Sequence, residues 1–225
     1  MSDAAPDPTP PTADDTLVLD VDCQQCPALV ESRDCIAWGN GPRDAAVLVV
    51  GEAPAAGDPD DSTWPGGNRS GLAYTSRHSG RRIRSLLASV GLVDRAFYTN
   101  AVKCFPSDGE GSNREPTATE RANCRSHLRR EIDLVAPTVV LPTGKHATAS
   151  LFSLTDRELD GFLDHVLDPV DLPAIDPVVI PLLHPSYADV WRSRLGYDRE
   201  RYREALATAL RDCGLDATSP SPGRF

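Results

Sequence analysis

Four short runs rich in β-branched and aromatic residues, each followed by a stretch of helical spacing, limit the folds open to this chain. The runs span 45–50 (AAVLVV), 97–102 (FYTNAV), 138–141 and 178–183. After the first, 79–90 sets Ile83, Leu86, Leu87 and Val90 on one helical face. After the second, 117–135 opens with Thr117 and Glu120 in capping-box spacing. Gly144 then leads into a helix through Leu151, and 197–210 reads as the last helix. Strands buried on both faces read as continuous apolar runs, and parallel strands need crossover connections. The pattern predicts an α/β fold: three αβα layers around a central four-stranded, mainly parallel sheet. Right-handed crossovers gather the loops after the strands on one edge, where open α/β sheets hold ligands. Those loops are GEAPAAGD, NAVKC, PTGKH and HPSY.

The segments outside this pattern have a different composition. Residues 1–22 are rich in Pro, Asp and Thr and read as a disordered acidic tail; 214–225 read as a flexible C-terminal tail. One domain is expected over 23–213. No stretch approaches the roughly 18 apolar residues of a bilayer span, and the first 15 residues have no basic or apolar region of a secretory signal. A monomeric, soluble, cytoplasmic protein with no membrane partner is the expectation.

Charge is strongly biased. The 33 acids are 24 Asp and 9 Glu, the 23 bases are 21 Arg and 2 Lys, and the net charge is −10. An Asp-rich, Lys-poor surface is what a protein dissolved in molar salt carries, and it points to a halophilic, haloarchaeal source. Net acidity argues against a nucleic-acid partner, but the charge is uneven. No acid falls between Ser62 and Val93, where Arg69, Arg77, Arg81, Arg82 and Arg84 lie. Further groups are Arg114 to Arg130 and Arg192 to Arg203. An acidic shell with basic patches suits a binder of phosphate backbone. Arginines paired locally on helix faces are the alternative for any single patch.

Of six cysteines, Cys23 and Cys26 have the spacing of a chelating pair, Cys104 leaves the second strand run, and Cys124 lies in the following helix. Four thiolates from two distant segments suit a zinc ion or an iron–sulfur cluster, and thiolate chemistry alone does not choose. No histidine is expected in the set, which disfavours a mixed zinc site. The strand-end loops carry a second constellation. Gly51, Glu52 and Ala53 follow the first strand, Asn100 ends the second, His184 and Ser186 follow the fourth, and Tyr74 lies in the Arg-rich stretch. A carboxylate for water, an amide for a base edge, an imidazole for an oxyanion and a ring to stack make a set able to hydrolyse a nucleobase from its sugar.

These motifs, in order over about 23–210, resemble the uracil-DNA glycosylase superfamily: CxxCPALVESR, VLVVGEAP, YTNAVKC, the later Cys124, APTVVLPTG and LLHPS. The resemblance is to its iron–sulfur branch, family 4, with family 5 features such as Ala55 after GEAP. It implies a DNA repair enzyme that hydrolyses the N-glycosidic bond of uracil in single- or double-stranded DNA and leaves an abasic site without strand cleavage. It implies a structural 4Fe–4S cluster on Cys23, Cys26, Cys104 and Cys124. Glu52 would handle water and His184 the leaving group. Asn100 and Tyr74 would read and stack the base, with Gly51 and Ala53 beside it. Arg81, Arg82, Ser186, Tyr187, Trp191 and Arg192 would contact DNA. Tyr74 replaces the family's Phe, Ser76 its Gly, and SDGEGSN lengthens the interval between Cys104 and Cys124. A non-catalytic iron–sulfur DNA-binding module, and a glycosylase for another deaminated base such as hypoxanthine, are the alternatives.

Overall fold

The computed structural model describes residues 8–155 and 157–216. Among these residues the sheet has six strands: β1 (Thr16–Leu17), β2 (Gly39–Asn40), β3 (Val47–Gly51), β4 (Ala96–Asn100), β5 (Val139–Pro142) and β6 (Val178–Val179). They lie in the order β1-β2-β4-β3-β5-β6. The four predicted strands form the parallel centre, in register Val49↔Tyr98 and Val49↔Leu141. The other two are antiparallel additions at one edge. β1 and β2 are too short to carry a periodic signal, so the sheet is wider than its sequence pattern suggests.

Among the described residues seven α-helices accompany it: α1 (Pro27–Ser32), α2 (Gly67–Ser70), α3 (Ser79–Ser89), α4 (Ala118–Val135), α5 (Lys145–Phe152), α6 (Ala188–Arg194) and α7 (Arg199–Asp212). α4 begins with the predicted capping box, in which Thr117 Oγ1 accepts from the Glu120 amide and Glu120 from the Thr117 amide. Asp198 caps α7.

Side-chain alternation along β3 sorts the core into two layers. Val47 and Val49 face α3 and α7, packing with Ile83, Leu87, Leu206 and Leu210. Leu48 and Val50 face α4 and α5, packing with Leu128, Ile132, Leu151 and Phe152. β3 is thus buried on both faces, which explains its uninterrupted apolar run. A smaller cluster joins Leu29, Val102, Cys104 and Cys124.

Three expectations change in detail. Thr16–Leu17, inside the expected 1–22 tail, pairs with β2; residues 1–7 lie outside the described residues. Leu215, inside the expected 214–225 tail, is buried in the core; 217–225 lie outside the described residues. The fourth strand is regular over only two residues, Val178–Val179. Its path beside β5 continues through Ile180 and Leu182, whose amides reach Val140 and Pro142.

Candidate active site

Gly51 and Glu52 end β3, Asn100 ends β4, Thr143 and Gly144 follow β5, and His184 follows the β6 segment. In a parallel sheet these points share one edge. They open on a cleft of about 1240 Å³, which Glu52, Tyr74, Asn100 and His184 all line. Thr143, Glu115, His146, Tyr187 and Trp191 line it too, with an acidic segment around 159–164.

The cleft floor is tightly fitted. A Cβ on Gly51 would meet Asn100 Oδ1 at 2.3 Å and the Tyr74 hydroxyl at 3.0 Å. The main chain of the first motif is tied to the end of β4, with Ala101 N donating to Gly51 O (2.7 Å) and Val102 N to Glu52 O (2.9 Å). Asn100 is 4 % exposed, and among the described residues no acceptor pairs with its Nδ2. Native structures rarely leave such a donor unpaired, because its desolvation costs about 1–3 kcal/mol. Tyr74 holds a left-handed backbone (φ 56°), and its hydroxyl hydrogen-bonds Thr143 Oγ1 (2.6 Å). Non-glycine residues are uncommon there and persist where their surroundings fix them. Burial pushes the Tyr74 phenol well above its ordinary pKa.

Burial also governs the two ionisable groups. It raises the Glu52 carboxyl above its usual range; His146 and Arg121 oppose the shift and Glu115 adds to it. His184 is pushed down by burial and then by His146. The Ser186 amide donates to His184 Nδ1 (3.2 Å), so a neutral ring carries its proton on Nε2. Gly144 leaves room for this ring, since a Cβ there would meet His184 Cβ at 3.0 Å.

Sequence reasoning missed His146 and Glu115. His146 Nδ1 lies 2.9 Å from Glu115 Oε1 across the cleft rim. The only signal was the position of His146 in the strand-end loop PTGKH. The SDGEGSN stretch, noted as an insertion, is docked: Asn113 Nδ2 donates to Pro54 O (3.0 Å), and the Ala56 amide donates to Asn113 Oδ1 (3.3 Å).

Beside the cleft, a groove of about 670 Å³ between α3 and α6–α7 is lined by Arg77, Arg81, Arg82, Arg192, Arg199 and Arg203. Asp189 and Glu200 share it. Arg82 Nη1 donates to Pro185 O (3.0 Å) and so braces the loop after His184, while Arg192 pairs with Asp189. Tyr187 is 63 % exposed at the cleft mouth, whereas the Trp191 ring is partly buried under the Arg194 guanidinium.

Cys26, Cys104 and Cys124 gather in one cluster against which Ala53, which lines the cleft, also packs, and Cys23 is near enough to act on the charge of Cys104. Burial raises the Cys104 and Cys124 thiols, the latter to about 11, and neighbouring cysteines add to both shifts. Donors aim at the sulfurs: Arg33 Nη1 to Cys104 (3.3 Å) and Asn123 Nδ2 to Cys26 (3.3 Å). Buried thiols with N–H partners suit metal-bound thiolates. A histidine does lie beside one of the four, Cys23. His127, one turn after Cys124 on α4, brings a ring nitrogen within 4.8 Å of Cys23 Sγ and an Asp20 oxygen. Residues three apart on a helix share a face, which turns His127 to the same side as Cys124.

The family profile described as Uracil DNA glycosylase superfamily matches residues 38–211. A type-5 uracil-DNA glycosylase from Pyrobaculum aerophilum is 30% identical, with 88% of this chain and 90% of that protein aligned. A type-4 uracil-DNA glycosylase from Saccharolobus solfataricus is 28% identical over 83% of this chain and 82% of its own length. One of the same type from Thermotoga maritima is 32% identical over 73% and 77%. The expected resemblance to both types is met by relatives of both, and with more than three quarters of its length matched the chain belongs to the uracil-DNA glycosylase superfamily.

Proposed function

We propose that the protein excises uracil from DNA by hydrolysis of the N-glycosidic bond, releasing the free base and leaving an abasic site. The unpaired Asn100 Nδ2 carries this reading: it is a buried donor at the floor of a cleft whose walls hold Glu52, Tyr74 and His184. A flipped uracil offers O4 as the missing acceptor and its N3–H as a donor to Asn100 Oδ1. Cytosine reverses that pattern. Tyr74 forms the wall against which the ring lies and against which a 5-methyl group would press.

Bond cleavage develops negative charge on uracil and positive charge on the sugar. His184, neutral with its proton on Nε2, donates to the developing oxyanion at O2. One such donor changes rate by about 10²–10³. Glu52 holds the attacking water and offsets the sugar's charge. Tyr187 and Trp191 contact the bases beside the extruded nucleotide, and Ser186, Arg81, Arg82 and Arg192 contact phosphates. No strand-cleaving step is assigned to a lysine: of the two, Lys103 is buried in an ion pair with Glu131, and Lys145 lies in the motif PTGKH, with no Schiff-base signature.

Cys23, Cys26, Cys104 and Cys124 would hold a 4Fe–4S cluster. When bound it supplies a structural cross-link between the segment before α1 and the segment from β4 to α4.

Single-turnover release of free uracil from a uracil-containing single-stranded oligonucleotide tests this function. Glu52→Gln and His184→Ala should each lower the rate at least tenfold, and Asn100→Ala should weaken excision while other lesions stay uncleaved. Binding without uracil release would identify a non-catalytic module. Faster release of hypoxanthine would reassign the substrate.

A further inference from the structure

Glu115 and His146 form a carboxylate–imidazole pair that the reaction above leaves unused. Glu115 comes from the turn before α4 and His146 from the first turn of α5, and their 2.9 Å contact spans the cleft rim. Arg121 Nη1 lies 3.3 Å from the same Glu115 oxygen, which fixes that carboxylate from its other side. His146 lines the same cleft as Glu52 and His184 and is close enough for its charge to act on both. With Nδ1 directed to Glu115, Nε2 is the ring nitrogen left for the cleft. A carboxylate that orients an imidazole and stabilises its protonated form is the arrangement of a general base.

Glu52 alone faces a conflict. A carboxylate that has accepted the water's proton is neutral and no longer offsets the positive sugar. A separate proton acceptor leaves its charge in place through the transition state.

We propose that His146, oriented by Glu115, is a catalytic base that takes the proton of the attacking water while Glu52 keeps its charge toward the sugar. The assignment rests on the cleft being the uracil-excising site. The water oxygen forms the bond to C1′. The C1′–N1 bond breaks with its electron pair going to uracil, where His184 Nε2–H meets O2. The water's proton passes to His146 Nε2, and the imidazolium pairs with Glu115 before it returns the proton to solvent. The charged and titratable groups facing His146 are Glu115 and Arg121 from the start of α4, Glu52 after β3 and His184 after β6, with Lys145 beside it on α5.

Single-turnover excision across pH, with DNA affinity measured in parallel, tests the assignment. His146→Ala should lose about 10²-fold in rate with little change in affinity, and added imidazole should restore part of it. His146→Asn keeps a donor toward Glu115 but no base, so it should stay slow; wild-type rate in that variant would make His146 structural and overturn the proposal. Glu115→Gln should slow excision and alter the pH profile. Melting curves matched to wild type exclude misfolding as the cause of any loss. A His146→Ala rate equal to wild type, or a loss that imidazole does not touch and that leaves the pH profile unchanged, overturns the proposal. Absence of uracil release by the wild-type protein overturns the underlying reading, and this one with it.

Discussion

The Lys103 ammonium hydrogen-bonds the main-chain carbonyl of Asn100, tying the floor of the cleft to the residue that precedes Cys104. The same ammonium pairs with Glu131 on α4 and donates to Thr99 Oγ1 (2.7 Å), and both ions of the pair are within 1 % of full burial. One buried cation therefore holds the end of β4, the helix carrying Cys124 and the start of the cysteine lobe in register.

Breaking that pair should be severe. Lys103→Met leaves Glu131 charged in the core with no counterion, only the Thr99 hydroxyl and the Gly39 amide as donors, at a cost of about 3–5 kcal/mol in unfolding free energy. The double variant Lys103→Met/Glu131→Leu should recover most of it, since an apolar pair of similar volume tolerates burial. Its Asn100 carbonyl stays unbraced, so excision should remain at least tenfold down. Denaturant melts and single-turnover rates on both variants separate the two effects. Full activity in the double variant would remove Lys103 from the positioning of Asn100.

Glu52 makes a stability prediction with a definite sign. Burial raises its folded-state pKa above the unfolded value, so between the two the folded state binds more protons and stability falls as pH rises. Above that window the charged carboxylate is a standing penalty. Glu52→Gln should therefore melt higher than wild type at neutral pH, with the difference vanishing below the ordinary carboxylate pKa. Excision should fall in the same variant, a trade-off expected where function requires a buried charge. Equal melting temperatures at both pH values would show that Glu52 is solvated.

Metal content checks the cysteine lobe. The purified protein should contain about four iron atoms per chain, as the cluster's stoichiometry requires, and absorb in the visible. Cys124→Ala should lose both and melt well below wild type, because metal binding contributes directly to folding. Stoichiometric zinc in a colourless protein would instead point to a mononuclear site, and the proximity of His127 and Asp20 to Cys23 gives such an ion mixed ligands.

The arginine groove predicts a salt signature. If Arg77 and Arg199 each meet one phosphate, replacing either by Ala should reduce the slope of log affinity against log salt by about 0.7 on single-stranded DNA. The catalytic rate at saturating DNA should not change. Slopes equal to wild type in both would confine the DNA path to the cleft. Arg82 is the contrasting control: its contact with Pro185 O means that its loss should disturb the His184 loop and lower the rate as well.

The parallel core was legible because burial on both faces writes itself into 45–50 and 138–141 as unbroken apolar runs, and the four helices predicted after the strands had periodic or capped sequences. β1 and β2 were not, because two residues paired at an edge need no pattern. Glu52, Asn100 and His184 were legible because each sits directly at the end of a strand, where topology brings them to one rim. Tyr74 was placed by family likeness, and its left-handed backbone and bond to Thr143 have no local signal. The Glu115–His146 pair joins two loops distant in sequence, and only their packing brings an exposed Glu and a half-buried His to hydrogen-bond distance. His127 has no motif of its own, and only its place three residues after Cys124 on α4 brings it toward Cys23.

Gly51 sets how far this cleft can be remodelled. At the mouth, an exposed side chain such as Tyr187 can be exchanged while the main chain behind it stays put, so that wall is open to gradual tuning. At 51 even one added carbon would strike the Asn100 side-chain oxygen and the Tyr74 ring, and base choice and turnover would collapse together. The dimension that matters most for selectivity is therefore held by an atom the chain omits.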